Sequence, residues 1–124
     1  MEIVLKQIAV EFLNMVIAGQ IDEAYQKFVD MTGKHHNVYF PAGFTVLRDA
    51  MKENHGLFPH KKFVIKQVIA EGETVATHSE LTLDPEKPKM SVVHMFRFKN
   101  NKIVEMWDVG QQIPAEMSNK DGAF

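Results

Sequence analysis

The second half of the chain consists of strand-like segments joined by turns that are too short to contain a helix. Val, Ile, Phe and Thr predominate in segments 62–70, 74–83, 90–99 and 102–109, whereas Gly, Pro and Asn occupy the turns between them. These two groups of residues favour strands and turns, respectively. Strands connected by so few residues pair antiparallel. The sequence therefore predicts a four-stranded antiparallel meander.

The first half of the chain shows apolar residues at helical spacing instead. The pattern extends over segments 3–17, 23–29 and 45–54, so a helix is predicted for each. Segment 31–43 contains two glycines and a proline and is predicted to be a loop around a short extended piece. Three helices that precede a meander must cover one of its faces. The predicted fold class is therefore α+β, in a single domain over residues 1–124.

Composition and charge exclude several classes of function. The 14 basic and 16 acidic side chains give a net charge of −2, which offers no surface for nucleic acid. Without cysteine there is neither a disulfide framework nor a thiolate metal site. Charged residues interrupt the start of the chain, unlike a signal peptide, and no apolar run reaches the roughly 18 residues of a membrane span. We expect a cytoplasmic protein with neither nucleic-acid nor membrane partners.

The candidate functional residues are polar side chains on strands that curve around a helix. Such a sheet leaves a tapering space beneath it, and a solid core rarely contains ionisable groups. His78 and His94 lie within predicted strands, and Asp108 lies near the end of the last one. Strand alternation gives each of them apolar or small neighbours on the same face. We therefore expect His78, His94 and Asp108 to face this space.

The register between the last two strands decides whether His94 and Asp108 meet. The chain turns at Asn100 and Asn101. A two-residue loop there places His94 opposite Trp107, whereas a three-residue loop places it diagonal to Asp108. Because Asn accepts the positive φ of either turn, the sequence leaves both registers open.

Five segments of the sequence carry a resemblance to a known family. They are His-Asn at 36–37, Ala-Glu-Gly-Glu-Thr-Val-Ala-Thr-His at 70–78, Val-Val-His-Met-Phe-Arg-Phe at 92–98, Lys-Ile-Val-Glu-Met-Trp-Asp-Val at 102–109 and Asn-Lys-Asp-Gly-Ala-Phe at 119–124. In this order and spacing they resemble the SnoaL-like polyketide cyclase family. That family belongs to the nuclear-transport-factor-2-like superfamily, which also includes the ketosteroid isomerases.

The resemblance implies a cone-shaped α+β barrel, in which N-terminal helices pack on a curved antiparallel sheet, and a homodimer. It also implies a mostly apolar pocket and ring closure by intramolecular aldol condensation, without metal or cofactor. Asp108 occupies the position of the family's acid/base Asp, and His94 that of a pocket Asp or His. His36 and Asn37 match a pair at the pocket mouth. Relatives often continue this pair with Pro, where this chain has Val38.

An aldol closure needs a base, a donor for the enolate oxygen and an acid for the new alkoxide. Asp108 and His94 can share these roles, because an apolar wall would disfavour the charge of Asp108 and make it a better base. We therefore expect both residues to be catalytic and the partner to be a small apolar carbonyl compound. The expected substrate-binding residues are His36, Asn37, His78, Phe96 and Met106.

Three other interpretations use the same residues. In the first, the fold holds a small apolar ligand without catalysis. In the second, His78, His94 and Asp108 bind a metal ion, although the sequence has no close ligand pair such as His-x-His. In the third, side chains fill the space entirely.

The outer face of the sheet predicts a homodimer. If His94 and Asp108 point inward, alternation turns a set of apolar side chains outward. A partner normally covers such a patch on a small domain. The outward residues are predicted to be Val93, Met95, Ile103 and Trp107.

Overall fold

The computed structural model describes all 124 residues and contains the three predicted helices. They are α1 (Glu2–Ile17), α2 (Ile21–Phe28) and α3 (Phe44–Leu57), and their ends lie within three residues of the predicted ones. The turn between α1 and α2 requires Gly19, whose φ of 86° lies in the left-handed region that side chains avoid. None of the three helices combines the length and the apolarity needed to cross a membrane.

Five strands form one open sheet. They are β1 (Val29–His35), β2 (Lys62–Glu71), β3 (Thr74–Thr82), β4 (Met90–Lys99) and β5 (Lys102–Gln112), in the order β1-β5-β4-β3-β2 across the sheet. Each of the last four pairs antiparallel with the next, as their short turns require. The predicted meander and the predicted α+β class are therefore confirmed.

The first strand corrects the prediction for segment 31–43. β1 pairs parallel with β5, so the sheet is mixed rather than wholly antiparallel. The extended segment ends at His35, and the residues predicted to be extended after it form the loop to α3. Gly33 is one of the two glycines that favour a loop in this segment, but in β1 it permits a close approach of the β5 backbone.

The hydrophobic core lies between the helices and the inner face of the sheet. Phe12 of α1 meets Phe96 of β4 edge-on, with ring centroids 6.0 Å apart, and meets Tyr25 of α2 at 5.3 Å. Each such aromatic pair contributes about 0.5–1.5 kcal/mol beyond the burial of its area. Phe98 and Ile103 are fully buried in the same cluster. This packing holds the inner faces of β4 and β5 against the helices.

The outer face of the sheet carries exposed apolar side chains. Met95 lies there, 40% exposed, beside its strand partner Trp107. Ile103 is fully buried, however, so its predicted outward orientation is wrong. The reason is a β-bulge at Val104, which interrupts the alternation of β5. Further exposed apolar residues of β2 and β5 are Val64, Ile69 and Val109.

Candidate functional site

A tight turn sets the pairing of the residues of β4 and β5 that flank it. Asn100 and Asn101 have φ values of 53° and 61° and form a two-residue turn. The first of the two predicted loop lengths is thus the one present. Continued without interruption, its register would set His94 opposite Trp107 and turn Asp108 to the outer face.

The β-bulge at Val104 shifts this register by one residue. Phe98 of β4 pairs with Ile103 of β5, whereas the neighbouring Arg97 pairs with Glu105. Val104 is therefore an extra residue of β5 that has no partner in β4. Beyond the bulge, His94 and Asp108 are direct partners across the two strands. Both side chains therefore project from the same face, as in the predicted three-residue register, but they are direct partners, which neither predicted register gave.

Gly33 of β1 makes room for the bulge. A Cβ atom at this position would collide with the backbone carbonyl oxygen of Val104. The register between β1 and β5 also shifts in this stretch, between Val29 and Lys34. Because a side chain here would push the bulged backbone away, Gly33 contributes to placing Asp108 on the inner face.

His94 and Asp108 line a cavity of about 350 Å³ between the sheet, the helices and the loop after β1. Small-molecule sites usually measure roughly 300–1,000 Å³. Twelve of the 18 lining residues are hydrophobic. Since side chains leave this space open, the interpretation of a completely filled interior is wrong. The polar side chains of the lining are Asn37, Asn54, Lys61, His94 and Asp108.

Asp108 is held by Asn37 of the loop after β1. The Asn37 Nδ2 amide donates a hydrogen bond of 2.7 Å to Asp108 Oδ2. Asn37 Oδ1 accepts the Tyr39 N–H at 2.9 Å, which fixes the end of the amide that faces Asp108. The pair therefore orients the carboxylate toward the cavity and leaves Asp108 Oδ1 without a partner in the chain.

His35 positions the loop that carries Asn37. His35 Nδ1 accepts the Asn37 N–H at 3.1 Å, and His35 Nε2 donates to the Pro41 carbonyl oxygen at 2.9 Å. These partners require a neutral ring with its proton on Nε2. The sequence does not predict this role for His35, because β1 cannot be recognised from the local pattern. With β1 in place, strand alternation turns His35 to the inner side.

His94 presents one ring nitrogen to the cavity. The ring stacks on Phe96, with centroids 5.9 Å apart, and meets Phe63 edge-on at 6.1 Å. Nδ1 is buried without a hydrogen-bond partner, so Nε2 is the nitrogen that remains open to the cavity. Burial lowers the pKa of His94, and the charge of Asp108 opposes this effect only in part. The ring is therefore neutral at pH 7.

Burial of a neutral His94 makes stability depend on pH. Because folding lowers its pKa, the unfolded chain binds this proton more readily, and stability is lost as pH falls below about 6.5. Between pH 7 and pH 5 we expect the unfolding free energy of the wild type to fall more steeply than that of His94→Gln. The difference is at most about 1.4 kcal/mol per pH unit. Urea denaturation measures it, and parallel pH profiles for the two proteins would contradict the burial argument.

Two polar side chains near this pair were missed in the sequence. Burial raises the pKa of the Tyr25 phenol, and the negative charge of Asp108 adds to the effect. Thr77 is the β3 partner of His94, and its hydroxyl is buried without a hydrogen bond. A Tyr in an amphipathic helix and a Thr in a strand both have ordinary structural roles, so neither stands out without the fold.

His36 lies outside the cavity. Its ring stacks on Trp107, with centroids 5.0 Å apart, and its Nε2 is 2.6 Å from Glu105 Oε2. The hydrogen bond from His36, and then that from Arg97, lower the pKa of Glu105. Of the predicted His-Asn pair, the structure thus brings only Asn37 to the cavity, because His36 belongs to the Trp107 side of β5.

His78 faces the outer side of β3. Its neighbours Thr77 and Ser79 are the inward, buried residues of this strand. His78 Nε2 lies 2.7 Å from Ser91 Oγ, and Phe124 from the end of the chain packs on the ring at 5.1 Å. The predicted placement of His78 in the pocket is therefore wrong. The three-residue metal site is not formed either, since His78 is on the opposite face from the other two ligands.

Phe96 and Met106 belong to the core rather than to the cavity surface. Both face inward, as alternation around the bulge requires, but both are buried beneath the lining residues. The cavity wall is instead made by side chains for which the sequence gave no specific signal. The apolar ones include Leu13, Met51, Phe63, Leu81 and Val92.

Comparison with known families agrees with this fold. The family model for the SnoaL-like domain matches residues 9–106, which is most of the chain. The chain belongs to the SnoaL-like domain family. The resemblance predicted from the sequence is thereby confirmed. Among proteins with curated functions, none matches the SnoaL-like chain significantly.

Solved structures share the fold at low sequence identity. AclR, a proposed hydroxylase from Streptomyces galilaeus, is 16% identical with a TM-score of 0.76, covering 90% of this chain and 91% of its own. A SnoaL-like polyketide cyclase from Agrobacterium tumefaciens is 18% identical, with a TM-score of 0.71 and coverage of 86% and 91%. An NTF2-like protein of unknown function from Burkholderia xenovorans is 14% identical, with a TM-score of 0.74 and coverage of 93% and 88%. These likenesses establish the fold alone.

Proposed function

We propose that the cavity is the active site of an acid/base enzyme that cyclises an enolisable carbonyl compound by aldol-type condensation, or isomerises it. The observation that carries this proposal is the direct pairing of His94 with Asp108 on the inner face of the sheet. Both line a largely apolar cavity of a size suited to a small organic ligand. The proposal also includes a single domain over residues 1–124 and a location in the cytoplasm.

Asp108 supplies the base. Its Oδ2 is occupied by Asn37, whereas Oδ1 is free to take a proton from the carbon next to a bound carbonyl group. This transfer forms the enolate and leaves a protonated Asp108. General base catalysis of this kind accelerates such a step by about 10²- to 10⁴-fold.

His94 supplies the donor for the enolate oxygen. The lowered pKa keeps the ring neutral, so a proton on Nε2 can be donated as a hydrogen bond without being given up. In a cyclisation the enolate carbon then attacks a second carbonyl group of the same molecule and forms the new carbon–carbon bond. The proton held by Asp108 passes to the resulting alkoxide, which returns both residues to their starting states.

The test is proton exchange at carbon, because it needs only the first half of the reaction. Polyketide-like compounds and simpler aryl methyl ketones are incubated with the protein in D₂O, and deuterium incorporation is followed by NMR. We expect incorporation at the carbon next to the carbonyl to exceed the rate in buffer by about 10²- to 10⁴-fold for compounds that bind. Ring closure or isomerisation of a panel member would identify the complete reaction.

A second candidate function is a binding module that holds a small carbonyl-containing ligand without catalysis. The predominance of hydrophobic lining residues favours it, since such a cavity binds apolar molecules whatever the polar groups do. Binding of panel members without deuterium incorporation or turnover would support this candidate over the enzyme.

The exposed apolar residues on the outer face support a homodimer as part of this proposal. Met95, Val109 and Ile69 are 40%, 67% and 55% exposed, which is a large apolar area for a small domain. We expect twice the chain mass in light scattering at micromolar concentration, and the single-chain mass for Met95→Lys, because a buried Lys would have no partner. A monomeric wild type would contradict the dimer.

A further inference from the structure

Lys61 is the only Lys or Arg side chain among the residues that line the cavity. It lies between the end of α3 and the start of β2, where its backbone N–H donates to the Phe58 carbonyl oxygen at 3.3 Å. The side chain is partly buried. This cation therefore lies at the wall of a mostly apolar cavity and is partly shielded from solvent.

The Lys61 ammonium has no counter-ion in the chain. Four other lysines pair with carboxylates, among them Lys52 with Asp22 at 3.1 Å and Lys89 with Glu80 at 3.8 Å, and the remaining lysines without an ion pair lie outside this cavity. Lys61 forms no ion pair, and Asp108 of the same cavity is engaged with Asn37 instead. Burial lowers the pKa of Lys61, and no neighbouring charge opposes this effect.

A partly desolvated cation without a partner destabilises the empty cavity and is stabilised when an anion binds. A single ammonium matches a single negative charge, whereas a phosphate dianion would need more donors than this lining provides. A carboxylate at Lys61 also leaves the rest of the ligand free to extend toward Asp108 and His94.

We infer that Lys61 binds a carboxylate group of the ligand, so that the substrates of this cavity are enolisable ketones that carry a carboxylate. The inference rests on the proposed function for the ketone group of the ligand, and on the position of Lys61 in the cavity for the carboxylate group. It makes Lys61 a specificity-determining residue, with no part in the proton transfer at carbon.

The test compares two ketones that differ in charge but hardly in shape, 4-acetylbenzoate and 4-acetylbenzamide. We expect calorimetry to show that the wild type binds the benzoate at least about tenfold more tightly, because hydrogen bonds to charged groups are the stronger ones. Lys61→Met should lose this preference while binding the amide unchanged. Lys62→Met is the matched control, since Lys62 is exposed and does not line the cavity, and it should keep the preference.

Equal affinity of the wild type for both ketones, no binding of either, or a preference that survives in Lys61→Met would overturn the inference. Unfolding curves of the variants show whether each is folded. Deuterium incorporation into the two ketones separates this inference from the proposed function. A preference for the benzoate that depends on Lys61, without deuterium incorporation, would support the role of Lys61 in binding and contradict the proposed enzymatic activity. Equal deuterium incorporation into both ketones by the wild type, together with equal affinity for them, would support the proposed enzymatic activity and contradict the role of Lys61.

Discussion

Replacement of Asp108 by Asn is expected to abolish deuterium incorporation and turnover while the protein still folds and binds ligand. In the wild type, Asn37 Nδ2 donates to Asp108 Oδ2 at 2.7 Å. Asn has the shape of Asp and keeps one oxygen that can accept this hydrogen bond. It cannot take up a proton at any working pH, so the base is lost. The expected loss is about 10²- to 10⁴-fold in rate, measured by NMR on a ketone that the wild type processes.

The matched control for this variant is Asp49→Asn. Asp49 is exposed on α3, where it pairs with Arg48 and lies outside the cavity, so its replacement should leave the exchange rate unchanged. Ligand affinity of Asp108→Asn, measured beside its rate, shows whether the effect is on chemistry or on binding. Equal exchange rates in the wild type and Asp108→Asn would remove Asp108 from the mechanism.

Replacement of Gly33 by Ala is expected to destabilise the fold and to disturb the site together. The added Cβ would overlap the carbonyl oxygen of Val104, which is backbone and cannot rotate away. Overpacking of this kind costs about 1–3 kcal/mol. Because the bulge at Val104 turns Asp108 inward, relief of the overlap by backbone movement displaces the carboxylate as well. Urea denaturation measures the first effect, and the deuterium exchange rate measures the second.

Gly56→Ala is the control for this substitution. Gly56 lies within α3, and a Cβ there would meet no atom within 4 Å. Ala in a helix is favoured over Gly, so this variant should be more stable than the wild type by about 0.5–1 kcal/mol. An unfolding midpoint for Gly33→Ala equal to that of the wild type would show that the bulge does not depend on the missing side chain.

The local sequence was sufficient for most of the architecture. The helical spacing in the first half of the chain and the alternating segments after residue 61 predict every helix and four of the five strands, with ends at most three residues away. The reason is that amphipathic periodicity and short turns are properties of neighbouring residues. β1 was not predicted, because a parallel strand is stabilised by a partner that is distant in the sequence. In addition, Gly33 within β1 is a residue type that favours turns.

The site residues divide in the same way. Asp108, His94 and Asn37 were predicted from alternation and from the family resemblance, and they lie in one cavity. His78 and His36 were predicted with them but lie elsewhere. Residue type and spacing could not separate the two groups, because one position of register moves a side chain to the opposite face.

The sequence by itself determined the three helices, four of the five strands, the α+β class, the family and the residue types available for acid/base chemistry. Only the tertiary structure decided which of these residues meet. The turn at Asn100 and Asn101 starts a register that would turn Asp108 outward, and the bulge at Val104 reverses it. That bulge depends on the space left by Gly33, a residue on a strand about 70 positions earlier in the chain. A contact between such distant segments leaves no periodic signal in either of them, so only the folded chain shows it.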